Sequence, residues 1–170
     1  FCGRVHELKG AVLLSEVHNI LRKNNVKVVS ILAGENIHGE RCLKEGDNKI
    51  RLIGHVKESQ VAELYNICDL FVFPSKYEVG PQVVLEAKAC GAICVVSPNG
   101  GGKRIKKNGV DGIIIDDYVP DIWAQKIIKI LDDRKKIVFM KTKILKEFKP
   151  LSWEDVFNKY FLCKWNEIIK

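Results

Sequence analysis

Phe73-Pro74-Ser75-Lys76-Tyr77-Glu78-Val79-Gly80-Pro81-Gln82-Val83-Val84-Leu85-Glu86-Ala87-Lys88-Ala89-Cys90-Gly91 reads as the end of a strand, a loop and a helix. Gly80 allows the backbone to approach a ligand closely. Pro81 suits the first helical turn, where its missing donor costs little. The amides of Gln82 and Val83 then point outward at the positive end of the helix, a natural seat for a phosphate. Glu86 falls one turn into that helix and Glu78 in the loop before it, so two carboxylates flank one anion site. Ionised carboxylates accept hydrogen bonds and do not donate them, so they suit hydroxyl groups rather than phosphate oxygens. On spacing alone, the same two acids also fit exposed carboxylates favoured by a helix macrodipole.

Outward from this unit, short apolar runs alternate with amphipathic stretches. Strands are predicted at 26–32, 50–54, 69–73, 93–96 and 112–115, with Phe1-Cys2-Gly3 as the first. Several runs are apolar without alternation, which predicts strands covered on both faces. Helical spacing links Leu13, Val17, Ile20 and Leu21, then Val61, Leu64 and Tyr65, then Val83, Val84 and Ala87. Further faces contain Trp123, Ile127, Ile130 and Leu131, and Ile137, Met140, Ile144 and Phe148. Pro150 stops that helix, and Ser152 caps a last one through Trp153, Val156, Tyr160 and Trp165. Strand–helix alternation implies a doubly wound parallel α/β sheet, Rossmann-like, with C-terminal helices. Such sheets bind ligands at the carboxyl ends of their strands.

The 170 residues, 46% hydrophobic and 29% charged, fit one domain spanning 1–170. Phe1-Cys2-Gly3-Arg4 does not resemble a signal peptide and reads as a strand cut from a longer protein. No apolar run approaches the roughly 20 residues that span a bilayer. Cys2, Cys42, Cys68, Cys90, Cys94 and Cys163 include no Cys-x-x-Cys, and no Asn-x-Ser/Thr sequon occurs, a pattern expected of a reducing cytoplasm. Cys68, Cys90 and Cys94 read as small core residues. The net charge is +7, concentrated at Lys103, Arg104, Lys106 and Lys107 and again between Lys126 and Lys149. A solvated surface, peripheral contact with the inner face of an anionic membrane, and a polyphosphate ligand all fit this excess. Nucleic acid is not expected as a partner, because no recognised binding signature is present.

The Glu78-x7-Glu86 spacing, followed by Ala87-x-Ala89-Cys90-Gly91, resembles the signature of the large retaining glycosyltransferase family with the GT-B fold, the glycosyl transferases group 1. Phe1-x-Gly3-Arg4 and Lys9-Gly10 resemble its opening segment. Asp69 to Ser75, Ser97-x-x-Gly100-Gly101 and Asn108-Gly109-x-x-Gly112 resemble later pieces in the right order. The resemblance implies a donor-binding C-terminal domain, with an N-terminal acceptor domain of the same protein missing. It implies transfer of a sugar from a nucleoside-diphosphate sugar to a glycan or lipid-linked acceptor, with cell-envelope polysaccharide synthesis as a setting. By the same resemblance, Arg4 and Lys9 hold the diphosphate and Glu78 contacts the transferred sugar, these three being the catalytic candidates. Glu86 holds the ribose, and the segment Gly80, Pro81, Gln82 and Val83, together with Gly3, lines the site. No cofactor beyond the donor is expected, and no metal, since no metal-ligand cluster is visible and cations with a helix end can take its place.

Two departures stand out. The family usually has Phe-Gly where this chain has Gly80-Pro81, and often Glu where this chain has Arg104. They leave open a non-catalytic nucleotide-binding or interaction module derived from a transferase. His55, after Leu52-Ile53-Gly54, is a loop residue placed to approach a base. His18 reads as structural, and His6 lies between Arg4 and Lys9. Another Rossmann-type enzyme is disfavoured: no Gly-x-Gly-x-x-Gly follows the first strand, and Gly100-Gly101-Gly102-Lys103 lacks the P-loop spacing.

Overall fold

A computed structural model describes residues 1–44 and 49–169, the side chains of Lys44 and Cys163 excepted; the sixth cysteine thus lies outside the described side chains. An extended lead-in and a short turn at Glu7–Lys9 precede α1 (Ala11–Lys23), β1 (Ser30–Ala33), α2 (Gly39–Lys44), β2 (Ile50–Gly54), α3 (Glu58–Ile67) and β3 (Leu70–Phe73). Then come α4 (Gln82–Ala89), β4 (Ile93–Val96), α5 (Pro98–Gly101), β5 (Ile113–Ile114), α6 (Pro120–Asp132) and α7 (Arg134–Glu147). The chain closes with α8 (Trp153–Val156), a π-helical stretch over Phe157–Leu162, and α9 (Cys163–Ile168).

All strand pairs are parallel. β1 pairs with β2, and β3, β4 and β5 form a second ladder with β4 in the middle. Phe1 to Val5 lies beside β1, joined by parallel bridges from Cys2 to Ala33 and from Val5 to Asn36. On its other flank the Phe1 ring meets Phe73 at 5.6 Å between centroids. The predicted first strand, Phe1-Cys2-Gly3, is therefore corrected to two isolated bridges. Its backbone is irregular because Gly3 sits at φ 138°. Gly34 is forced by the same junction: a Cβ there would lie 2.1 Å from the Gly3 carbonyl oxygen. The strand expected from Val26 begins at Ser30, where the amide first finds a partner in the Lys49 carbonyl.

The apolar runs are explained by burial on both faces. Ile93 and Val95 of β4, with Leu32, Val72 and Ile115, join one core under α1, α6 and α7, built on Val17, Leu21, Trp123, Ile127 and Met140. Cys94 and Val96, with Phe71 and Phe73, join the other, under Tyr65, Val84 and Ala87 of α3 and α4. Consecutive strand residues enter opposite cores, so alternation disappears from the sequence. His18 is buried and hydrogen-bonded to Ser30 through Nδ1 at 2.8 Å, in keeping with a structural role. Cys94 is fully buried, while Cys68 and Cys90 are half-buried. Ser152 caps the final helical segment reciprocally with Asp155. Past it the large side chains, Trp153, Tyr160 and Trp165 among them, are exposed, because the π-helical stretch breaks the spacing that would gather them on one face.

Candidate active site

Parallel pairing brings every strand's carboxyl end to one edge, and the candidate residues sit in the segments leaving it, Gln82, Val83 and Glu86 within α4. β3 runs into buried Pro74 and Ser75. The Lys76 amide donates to the Leu8 carbonyl at 2.9 Å, fastening this loop to the turn at Glu7–Lys9. Gly10, at φ 82°, closes the same contact: a Cβ would lie 2.4 Å from the Pro74 carbonyl oxygen. The fastening places the Lys9 ammonium 2.6 Å from Oε1 of Glu78, across 69 residues of chain. Ser75 Oγ lies 3.1 Å from the same Oε1, and also within reach of the Leu8 and Tyr77 carbonyls, so its single proton is shared among acceptors. The Lys9 and Glu78 side chains are 24% and 12% exposed. That leaves the pair shielded but open at one side.

The loop's far end is tied down as well. Ser97 Oγ donates to the Ser75 carbonyl and accepts from the Gly100 amide at 2.8 Å. A Cβ on Gly100 would fall 2.8 Å from the Phe73 carbonyl, so the turn at α5 presses on the end of β3. α4 begins at Gln82, not at Pro81: Pro81 is the N-cap, at φ −68° and ψ 102°. Proline's fixed φ fits either position, and the extended ψ decides it. No side chain caps α4 and its first turn contains no acid. The amides of Gln82 and Val83 therefore keep their outward-facing role, with the positive end of the helix behind them.

The other candidates are distributed along the same edge. Gly3 backs onto the Phe73 ring. Arg4 is exposed and makes no hydrogen bond or ion pair among the described residues. Glu86 is exposed on α4, where its charge reaches the Tyr65 hydroxyl and the Cys90 thiol. Burial above all holds that phenol in its protonated form, and its oxygen is buried without a hydrogen-bond partner among the described residues. His55 is exposed just past β2. Gly80 has an ordinary φ, and a Cβ there would meet the Arg104 guanidinium at 3.6 Å. The structure thus joins Lys9 directly to Glu78; Arg4, Glu86 and His55 make no direct polar contact with that pair among the described residues. His6 stacks on His38 at 4.4 Å and accepts the Leu8 amide through Nδ1, shaping the turn that carries Lys9.

Sequence reasoning quoted Ser75 and Ser97 only as motif residues without a role, and passed over Lys88. Lys88 is 1% exposed. Its ammonium donates to Oδ2 of Asp111 and to the Arg104 carbonyl, both at 2.8 Å, and lies over the Phe148 ring. Asp111 also accepts from the Lys106 and Lys107 amides. Burial raises its pKa, but these donors outweigh burial and hold the carboxyl below its ordinary value. A signal for Lys88 existed: it stands four residues after Val84 on the inward face of α4.

This doubly wound parallel domain, with an acid–lysine pair and an uncapped helix start at its strand ends, has the Rossmann-like fold of GT-B C-terminal domains. The chain belongs to the glycosyl transferases group 1 family, whose model matches residues 1–145. It is 32% identical over 163 residues to the uncharacterized glycosyltransferase MJ1607 of Methanocaldococcus jannaschii, covering 92% of this chain and 41% of that protein. Among solved structures it resembles Anabaena HepE in complex with UDP-glucose, with a TM-score of 0.72 and 19% identity over 99% of this chain and 46% of that one. It also resembles the C-terminal domain of the group 1 protein LpcC from Francisella tularensis, with a TM-score of 0.71 and 18% identity over 94% of this chain and 84% of that one. The chain therefore spans well under half of its full-length relative. No described helix is long and apolar enough to cross a membrane.

Proposed function

We propose that this chain is the donor-binding domain of a retaining glycosyltransferase that moves a hexose from a nucleoside-diphosphate sugar to a glycan or lipid-linked acceptor. The observation that carries the reading is the Lys9–Glu78 contact at the mouth of β3, formed between two segments that the family resemblance singled out independently. The UDP-glucose in HepE supports a nucleoside-diphosphate sugar as the donor class.

In this reading the Glu78 carboxylate accepts hydrogen bonds from hydroxyls of the transferred sugar, and Lys9 and Ser75 fix the carboxylate's direction. The α4 amides and Arg4 face the diphosphate. As the bond from the anomeric carbon to the diphosphate oxygen breaks, negative charge collects on the leaving group. Fixed donors aimed there lower the barrier without reorganising. These donors fill the role of a metal ion, so transfer proceeds in a chelator. Glu86 accepts from the ribose hydroxyls, and His55 and Gly3 border the nucleotide. The acceptor surface belongs to a further domain, so this chain alone binds nucleotide and transfers little. The test is donor hydrolysis and transfer by the protein with that domain present. Glu78→Ala should abolish both, and the product formed by the parent should keep the donor's anomeric configuration. Undiminished turnover by Glu78→Ala contradicts the reading.

A further inference from the structure

We propose that Arg104 is a phosphate-contacting residue of this donor site, held in place by the buried Lys88–Asp111 pair. The inference rests on the donor-binding reading and adds to it a cation that the family pattern does not provide. Three observations carry it. First, the Gly101–Arg104 turn lies against the start of α4. A Cβ on Gly101 would be 2.8 Å from Val84 Cγ2 and 3.6 Å from the Pro81 ring, and one on Gly80 would be 3.6 Å from Arg104 Nη2. The guanidinium therefore stands over the bend that leads into the free amides of Gln82 and Val83.

Second, Arg104 is half-buried as a residue, and its guanidinium makes no hydrogen bond or ion pair among the described residues. α4 has no acid in its first turn to balance it. A cation beside the positive end of a helix is an unfavourable neighbour until an anion joins them. A guanidinium offers a planar fork of donors matched to phosphate oxygens, which a backbone amide pair complements.

Third, the residue is braced where a surface arginine would not be. Its carbonyl accepts from Lys88, a cation 1% exposed whose partner Asp111 ties down the amides of Lys106 and Lys107. Burying a lysine costs several kcal/mol unless it is fully paired. Here the pairing fixes one loop, the loop that carries Arg104.

The experiment is calorimetric titration of this chain and of Arg104→Gln with inorganic pyrophosphate, nucleoside diphosphates and the matching monophosphates. The variant keeps the Arg104 carbonyl, and its melting curve checks that the fold is retained. The expected result is a loss of about 10- to 100-fold in affinity for the diphosphate and for pyrophosphate, a smaller loss for the monophosphate, and an unchanged order among bases. Equal affinities of parent and variant for the diphosphate overturn the role of Arg104 and leave the donor reading standing. Pyrophosphate binding that depends on Arg104, with no response to any nucleotide, upholds the anion contact and removes the donor reading. A parent that binds neither overturns both.

Discussion

Among the described residues two lysine–carboxylate pairs close long loops, and they are built differently. Lys88–Asp111 is saturated: the lysine meets a carboxylate, a carbonyl and a ring, and the carboxylate also takes two amides. Lys9–Glu78 is unfinished: one carboxylate oxygen holds both Lys9 and Ser75, and the other has no partner among the described residues. Distances of 2.6 and 2.8 Å do not separate them. What separates them is spare hydrogen-bonding capacity at an open edge, the property a ligand needs. The saturated pair belongs to the fold, and the unfinished one keeps the capacity that the proposed chemistry requires.

Breaking the saturated pair should give the largest effect. Asp111→Ala strands a buried lysine, and denaturant unfolding should show a loss of about 3–5 kcal/mol. Lys88→Met, which fills the same space without a charge, should cost clearly less. Glu78→Gln should show the reverse signature. Stability should stay within about 1 kcal/mol, as for pairs that are not fully buried. Transfer by the protein with its further domain should fall about 100- to 1,000-fold, or roughly 2.7–4 kcal/mol in the barrier. A Glu78→Gln domain that unfolds readily would erase the distinction between the pairs.

Gly10→Ala sharpens the comparison from the backbone side. Its φ of 82° and its clash with Pro74 should cost about 1–3 kcal/mol. The same change should loosen Lys9 from Glu78 and weaken ligand binding, while the Lys88–Asp111 pair remains intact. Acid should produce the smallest effect. Asp111 has a folded-state pKa below its unfolded value. Its contribution is therefore present above the ordinary carboxylate range, and is lost as pH falls below about 4 through the folded pKa. Thermal melts followed from pH 6 downward should show this loss in the parent and not in Asp111→Ala.

The sheet was legible because its determinants are local. Ile50 to Gly54 and Ile93 to Val96 are strands over the residues expected, and uninterrupted apolar runs announced two-sided cover. The site was legible in part. Glu78 and the free end of α4 follow from one continuous stretch, but Lys9 meets Glu78 only because the chain crosses the sheet edge. No spacing rule encodes a contact 69 residues apart; the family resemblance put both residues at one site, Lys9 on the diphosphate and Glu78 on the sugar, and not against each other. Pro81 was placed one residue too far into the helix because its ring sets φ and leaves ψ to the surroundings. Lys88 was passed over because a lysine among alanines reads as solvent-facing, and its partner stands 23 residues away.

The account stands most directly on whether this edge holds a nucleoside diphosphate. Calorimetry or thermal shift of the 170-residue chain against UDP, GDP and ADP and their sugars measures it. One base should dominate, and at about 100 times its dissociation constant it should add roughly 2.7 kcal/mol of stability. Such stabilisation should fall when Arg4 or Lys9 is changed to Ala. No response to any nucleotide, or an equal response in those variants, would contradict the site described.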